Sequence, residues 1–142
     1  MSRQNLPVLA ATSYEGVAKG AYVLRDADDP ELVIVGTGSE VSLALDAAAA
    51  LEDDGIAVRV VSMPCWERFE AAGGEYQESI LPDGIPTLAV EAAVSFGWRR
   101  WADDVVSIDR FGASAPGAVV MAELGMTPDH VVSRANDLLG RS

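Results

Sequence analysis

Apolar runs and helically spaced apolar positions alternate along this chain. Leu32-Val33-Ile34-Val35 is unbroken and rich in β-branched residues, the signature of a strand covered on both faces. Val58-Arg59-Val60-Val61-Ser62, Thr87-Leu88-Ala89-Val90 and Val105-Val106-Ser107-Ile108 repeat it, the first ended by Pro64. Ala21-Tyr22-Val23-Leu24 is a shorter candidate, closed by the turn-rich Asp26-Ala27-Asp28-Asp29-Pro30. Between the strands, Val41, Ala44, Leu45, Ala48 and Leu51 fall at helical spacing, with Ser39 placed to cap the start and Gly55 to stop the helix. Glu67 to Leu81 predicts one or two short helices broken at Gly73-Gly74. A helix from the Ser114 cap with Pro116 in its first turn runs to about Gly125. Thr127-Pro128-Asp129 opens the last helix, where Val131, Ala135 and Leu138 share a face that Val132 and Leu139 widen.

Strands alternating with helices predict an α/β fold, a three-layer sandwich around a mainly parallel sheet of about five strands. The first strand is expected to be the antiparallel one. Only a short turn joins it to Leu32, whereas parallel neighbours need a crossover of roughly a dozen residues. Residues 1–16 are polar, carry proline and show no periodicity. They are expected to form a linker arm from a preceding domain, with residues 17–142 as the α/β domain.

Composition narrows the function classes. At 142 residues and 49% apolar, the chain has the length and the hydrophobic content of one domain with a sizeable core. Its single cysteine, Cys65, has no internal partner, is expected to be a small buried hydrophobe, and fits a reducing cytoplasm. No apolar run approaches the ~18 residues of a membrane span, and the first residues are too polar for a signal peptide. Acidic residues number 22 against 10 basic, for a net charge of −12. That average surface repels a phosphate backbone, so nucleic acid is not an expected partner.

Candidate chemistry follows from the fold. An open parallel sheet binds ligands outside the carboxyl ends of its strands, here Gly36 to Ser39, Met63 to Trp66, Glu91-Ala92 and Asp109-Arg110-Phe111. A glycine turn feeding a helix offers free N–H groups to an anion, which makes Gly36, Thr37, Gly38 and Ser39 a candidate anion site. The turn lacks a dinucleotide fingerprint and a P-loop lysine, and Glu40 already supplies negative charge, so a plain strand-to-helix turn is the preferred reading. His130, the only histidine, is expected to be solvated in a first helical turn, and it supports neither a metal cluster nor a catalytic triad. Trp66, Trp98 and Trp101 with Arg99 and Arg100 form an aromatic-basic group of the kind that dominates protein contacts. Trp98, Arg110 and Phe111 are the candidate interface residues; an Arg110–Asp109 ion pair is the structural alternative. No catalytic residue and no metal ligand set is predicted.

The motifs have a recognisable order. Ser2-Arg3-Gln4-Asn5-Leu6-Pro7, Gly36-Thr37-Gly38-Ser39-Glu40-Val41, Val60-Val61-Ser62-Met63-Pro64 with Trp66-Glu67-Arg68-Phe69, and Ile108 to Pro116 (Ile-Asp-Arg-Phe-Gly-Ala-Ser-Ala-Pro) together resemble the C-terminal domain of the transketolase family. The resemblance covers nearly the whole chain. It departs slightly around Val94-Ser95-Phe96-Gly97-Trp98, where relatives have a more glycine-rich turn. The resemblance implies a parent enzyme of the pentose phosphate pathway that moves a two-carbon ketol unit between sugar phosphates. That enzyme is a homodimer using thiamine diphosphate and Mg²⁺ or Ca²⁺, all held by the two preceding domains. It also implies that Arg3 binds the substrate phosphate, that this chain holds no cofactor itself, and that alone it is inactive. The chain begins where the family's middle domain should be finishing, and a cut at the linker is favoured over a split gene. The second reading is a non-catalytic module that supports the dimer or binds a regulatory anion.

Overall fold

A computed structural model describes residues 6–109 and 121–141. The strands are β1 (Tyr22–Arg25), β2 (Leu32–Gly36), β3 (Val58–Ser62), β4 (Thr87–Glu91) and β5 (Asp104–Ser107). The helices are α1 (Tyr14–Ala18), α2 (Glu40–Asp53), α3 (Trp66–Ala71), α4 (Gly74–Ile80) and α5 (Pro128–Leu138), with a 3₁₀ turn at Trp98–Arg100. Residues 121–123 are also helical. The rest of the predicted 114–125 helix lies outside the described residues.

The sheet order is β1-β3-β2-β4-β5. β2 pairs in parallel with both β3 and β4, and β4 with β5, while β1 is antiparallel. The period-2 alternation of strands divides the core in two. Leu32, Ile34, Val58, Val60, Leu88 and Val90 face α2 and α5. Val33, Val35, Val61 and Ala89 face the other way, onto Phe69, Ile80 and Trp98. Three layers result, as the alternation of elements predicts.

Three local features depart from the sequence reading. β1 is antiparallel, but its neighbour is β3, with Tyr22 opposite Ser62, and not β2. The buried run Leu32–Gly36 takes the sheet centre, where both of its edges are filled by parallel strands. β1, whose Arg25 end is exposed, takes the free edge of β3. Ser39 stands at the start of α2 in helical geometry and makes no cap; its hydroxyl donates to Glu40 Oε1 at 2.6 Å. Within the segment read as aperiodic, residues from Tyr14 form α1, capped by the Ser13 hydroxyl on Gly16 N–H at 3.0 Å. Five residues are too few to show a period. By contrast, Thr127 caps α5 as predicted, accepting from His130 N–H at 3.2 Å.

Two glycines set a test of this packing. Gly20 has φ +88°, and a methyl group there would run into the main chain at Cys65 and Phe69. Gly38 has φ +52° with open space around it. Gly38→Ala should cost only the left-handed penalty of about 1–2 kcal/mol, whereas Gly20→Ala adds an overpacking cost of at least about 1–3 kcal/mol. Urea unfolding of the two variants measures this. Equal midpoints would mean that the α1–α3 junction is not packed as described.

Candidate functional site at the carboxyl edge of the sheet

Parallel pairing gathers the ends of β2, β3, β4 and β5 at one edge of the sheet. The turn after β2 is held there by two hydrogen bonds, Met63 N–H to Gly36 O and Glu40 N–H to Thr37 O, each 3.0 Å. Gly36 is packed tightly against α2, since an added Cβ would lie 2.9 Å from the Val41 Cα. Thr37, Glu91 and the Met63–Glu67 segment line a cavity of about 260 Å³. The Gly36–Ser39 turn and the Met63–Trp66 loop are therefore brought together, as the topology requires.

The electrostatics of this edge come from carboxylates. The Thr37 hydroxyl donates to Glu91 Oε2 at 2.9 Å, across 54 positions of sequence. Glu40, only 7% exposed, is served by Ser39. Burial pushes the Glu91 carboxyl above its ordinary pKa, the Thr37 hydroxyl opposes that, and the nearby Glu40 charge adds to it. Asp109 moves the other way. Its carboxylate accepts from Ser95 N–H at 2.8 Å, Ser107 Oγ at 2.7 Å and Ser95 Oγ at 3.0 Å, and these bonds hold its pKa down. They also clamp the 92–97 loop to the end of β5.

Several predicted site residues behave differently from the expectation. Trp98 was a candidate interface residue, but it is 1% exposed and fixed in the core, edge-on to Trp66 with ring centroids 5.0 Å apart. The exposed side chains of that loop are instead Phe96 at 87% and Val94 at 57%. Gly97 at φ +89° turns the chain inward immediately before Trp98, and that reversal is invisible to hydrophobic periodicity. Cys65 is half-buried rather than a sealed hydrophobe, and its thiol donates to Glu67 Oε2 at 3.4 Å. His130 is solvent-exposed, as expected. Arg3, Arg110 and Phe111 lie outside the described residues. Glu91 stands at the carboxyl ends of the strands, where the sequence places it, and lines the cavity there. Its partners Thr37 and Glu40 are too distant in sequence to signal a link.

Among the described residues every lysine and arginine is engaged within the fold. Arg25 pairs with Glu52, Arg100 with Glu70, Arg59 with Asp26, Arg134 with Asp104 and Arg141 with Glu31. Arg68 and Arg99 donate to main-chain carbonyls, and Lys19 lies over the Tyr76 ring. None of these basic groups lines the cavity at the carboxyl edge. No group of three or more His, Cys, Asp or Glu side chains among the described residues is placed to hold a metal ion. No helix among them is long and apolar enough to cross a membrane.

Residues 20–127 match the family model of the transketolase-like TK C-terminal domain. The chain belongs to that family. It is 52% identical to the transketolase of Halalkalibacterium halodurans over 98% of its own length and 22% of the relative's. The structure superposes on a transketolase from Leishmania mexicana with a TM-score of 0.94 and 47% identity, covering 97% of this chain and 20% of that one. A Pichia stipitis transketolase in complex with sedoheptulose-7-phosphate matches with a TM-score of 0.94 and 42% identity, again over 97% of this chain and 20% of that one. The chain thus spans about a fifth of the length of the transketolases it matches. The family match takes in β1 to β5 and all four segments that follow the strands at the carboxyl edge.

A pH test follows from Glu91. Its folded pKa is raised, so its favourable contribution is complete below the unfolded value and is lost as pH rises through the folded one. At neutral pH the charged Glu91 is therefore a destabilising group. Glu91→Gln, which keeps an acceptor for Thr37, should raise the melting temperature relative to wild type near pH 7, and the gap should shrink toward pH 4. A constant gap across that range would show that Glu91 is not strained by burial.

Proposed function

We propose that this chain serves as the C-terminal domain of a transketolase, in an enzyme that transfers a two-carbon ketol unit between sugar phosphates with thiamine diphosphate and a divalent cation. The observation that carries this reading is similarity to transketolases along 97–98% of the chain while spanning only about a fifth of theirs. The likeness to a transketolase complexed with a sugar phosphate supports the substrate class.

The described residues do not fit the cofactor. A diphosphate and its metal need a cationic or N–H cradle and an oxygen ligand set. Here the hydroxyls of Thr37 and Ser39 already donate to Glu91 and Glu40, and no metal-holding group is present among the described residues. No step of the reaction is assigned to them. The cofactor and the homodimer belong, on this reading, to preceding domains, with residues 1–16 as the connecting arm.

Arg3 is the one substrate contact proposed for this chain, from its place in Ser2-Arg3-Gln4-Asn5. A guanidinium grips a phosphate through two parallel N–H···O bonds. In the full-length enzyme, Arg3→Ala should lower kcat/KM for a phosphorylated donor by about tenfold to a hundredfold, the loss of a charge-assisted hydrogen bond. Activity on an unphosphorylated ketose should change little. An equal loss on both substrates would remove the phosphate role.

The isolated chain should bind no thiamine diphosphate and transfer no ketol unit. Micromolar cofactor binding in calorimetry on the 142-residue chain would overturn this.

The second reading, a regulatory anion site at Gly36–Ser39, is disfavoured because the protein's own carboxylates occupy both hydroxyls. Phosphate should therefore raise the melting temperature no more than chloride at matched ionic strength. A saturable rise specific to phosphate would restore the anion site.

A further inference from the structure

We propose that the groove at the opposite, amino edge of the sheet binds a small zwitterion with an apolar body, the class represented by α-amino acids with branched or aromatic side chains. This inference stands independently of the function proposed above.

The groove has a volume of about 470 Å³, within the roughly 300–1,000 Å³ typical of small-molecule sites. Two separate segments build it. The end of α4 and the turn after it bring Glu78 and Asp83, with Leu81 between them. The 3₁₀ turn brings Arg99 and Arg100. Leu81, Ile85 and Trp101, all partly exposed, give the groove its apolar surface, and Trp101 packs at a tilt on the buried Phe69 with ring centroids 5.0 Å apart.

The charges of the two segments are not used on each other. Arg99 donates through one nitrogen to the Asp103 carbonyl at 2.7 Å, leaving other guanidinium N–H groups. Arg100 pairs with Glu70, outside the groove lining. Glu78 accepts from the Asp83 main-chain N–H at 2.9 Å, and the Asp83 carboxylate enters no ion pair among the described residues. Beside the arginines, the Asp103 carboxylate already accepts from Thr87 N–H at 2.8 Å. Glu78 and Asp83 from one segment and guanidinium groups from the other, over apolar surface, then complement a ligand with an ammonium, a carboxylate and an apolar side chain. A simple anion meets Glu78 and Asp83, and a simple amine meets Arg99 and Arg100, so each is rejected by one side.

Position favours an open groove. The N-terminal arm reaches the sheet at the carboxyl edge, where Cys65 N–H bonds the Gly20 carbonyl at 3.1 Å and Tyr22 stands opposite Ser62. The groove lies at the other end of the strands, beside Thr87 and Asp103.

The Trp101 Nε1–H is buried without a partner among the described residues, so its NMR signal is a sensitive reporter of this wall. The 142-residue chain is titrated with L-leucine and L-phenylalanine into the millimolar range. A saturable shift of the Trp101 indole signal is expected. Leucinamide and N-acetyl-leucine, each lacking one charge, should bind at least about tenfold more weakly, as should L-leucine to the Arg99→Gln variant. Trp101→Phe assigns the signal; if that variant does not fold, calorimetry on the wild type and Arg99→Gln gives the same ranking. No saturable binding, or equal binding of the blocked analogues, overturns the proposal. An Arg99→Gln chain that binds as tightly as wild type overturns it too.

Discussion

β2 is hydrogen-bonded along both edges and covered on both faces. Leu32 to Val35 are fully buried, and each residue is committed to one side of the sheet. A strand with no solvent-facing side cannot slip by one position without exchanging both cores. Its register against β3 and β4 therefore fixes where every later segment lands. Gly36 ends the strand against the Val41 backbone, so α2 starts at one place only. Removing a buried side chain here, as in Ile34→Ala, would cost on the order of 2–5 kcal/mol, a large part of the total stability of a domain this size.

From that anchor the electrostatic division of the molecule follows. The strand starts and helix ends carry the arginine–carboxylate pairs, such as Arg59–Asp26 and Arg134–Asp104. The carboxyl edge, where α/β folds usually hold ligands, carries Glu40, Glu67, Glu91 and Asp109, and no basic side chain among the described residues lines its cavity. Exposed pairs are individually weak, about 0–1 kcal/mol. Their larger consequence is that they occupy the described cations and leave the carboxyl edge acidic. Such an edge suits contact with other protein surface better than capture of a free phosphate.

The architecture was legible because two-sided burial and helical spacing leave a strong periodic trace. The runs at Leu32, Val58, Thr87 and Val105, the α2 face and the Thr127 cap all needed only local information. The family, too, was carried by local motifs in order. What stayed hidden depended on contacts between distant positions. The link from Thr37 to Glu91 spans 54 residues, and Trp98 owes its burial to a reversal at Gly97 that hydrophobicity does not encode. Cys65 is half-exposed because it sits in a loop at the edge of the sheet, a position its residue type does not reveal.

The sequence by itself determined an acidic α/β domain with a mainly parallel sheet and an antiparallel first strand, since composition, periodicity and loop length are properties of short stretches. Only the tertiary structure decided that β1 lies beside β3, because sheet order depends on which edge remains free once β2 is enclosed. It alone also decided that the hydroxyls of the glycine turn answer to Glu40 and Glu91, and that Glu78 and Asp83 share a groove with Arg99 and Arg100. Those relations arise where separate segments meet, and no local pattern records them.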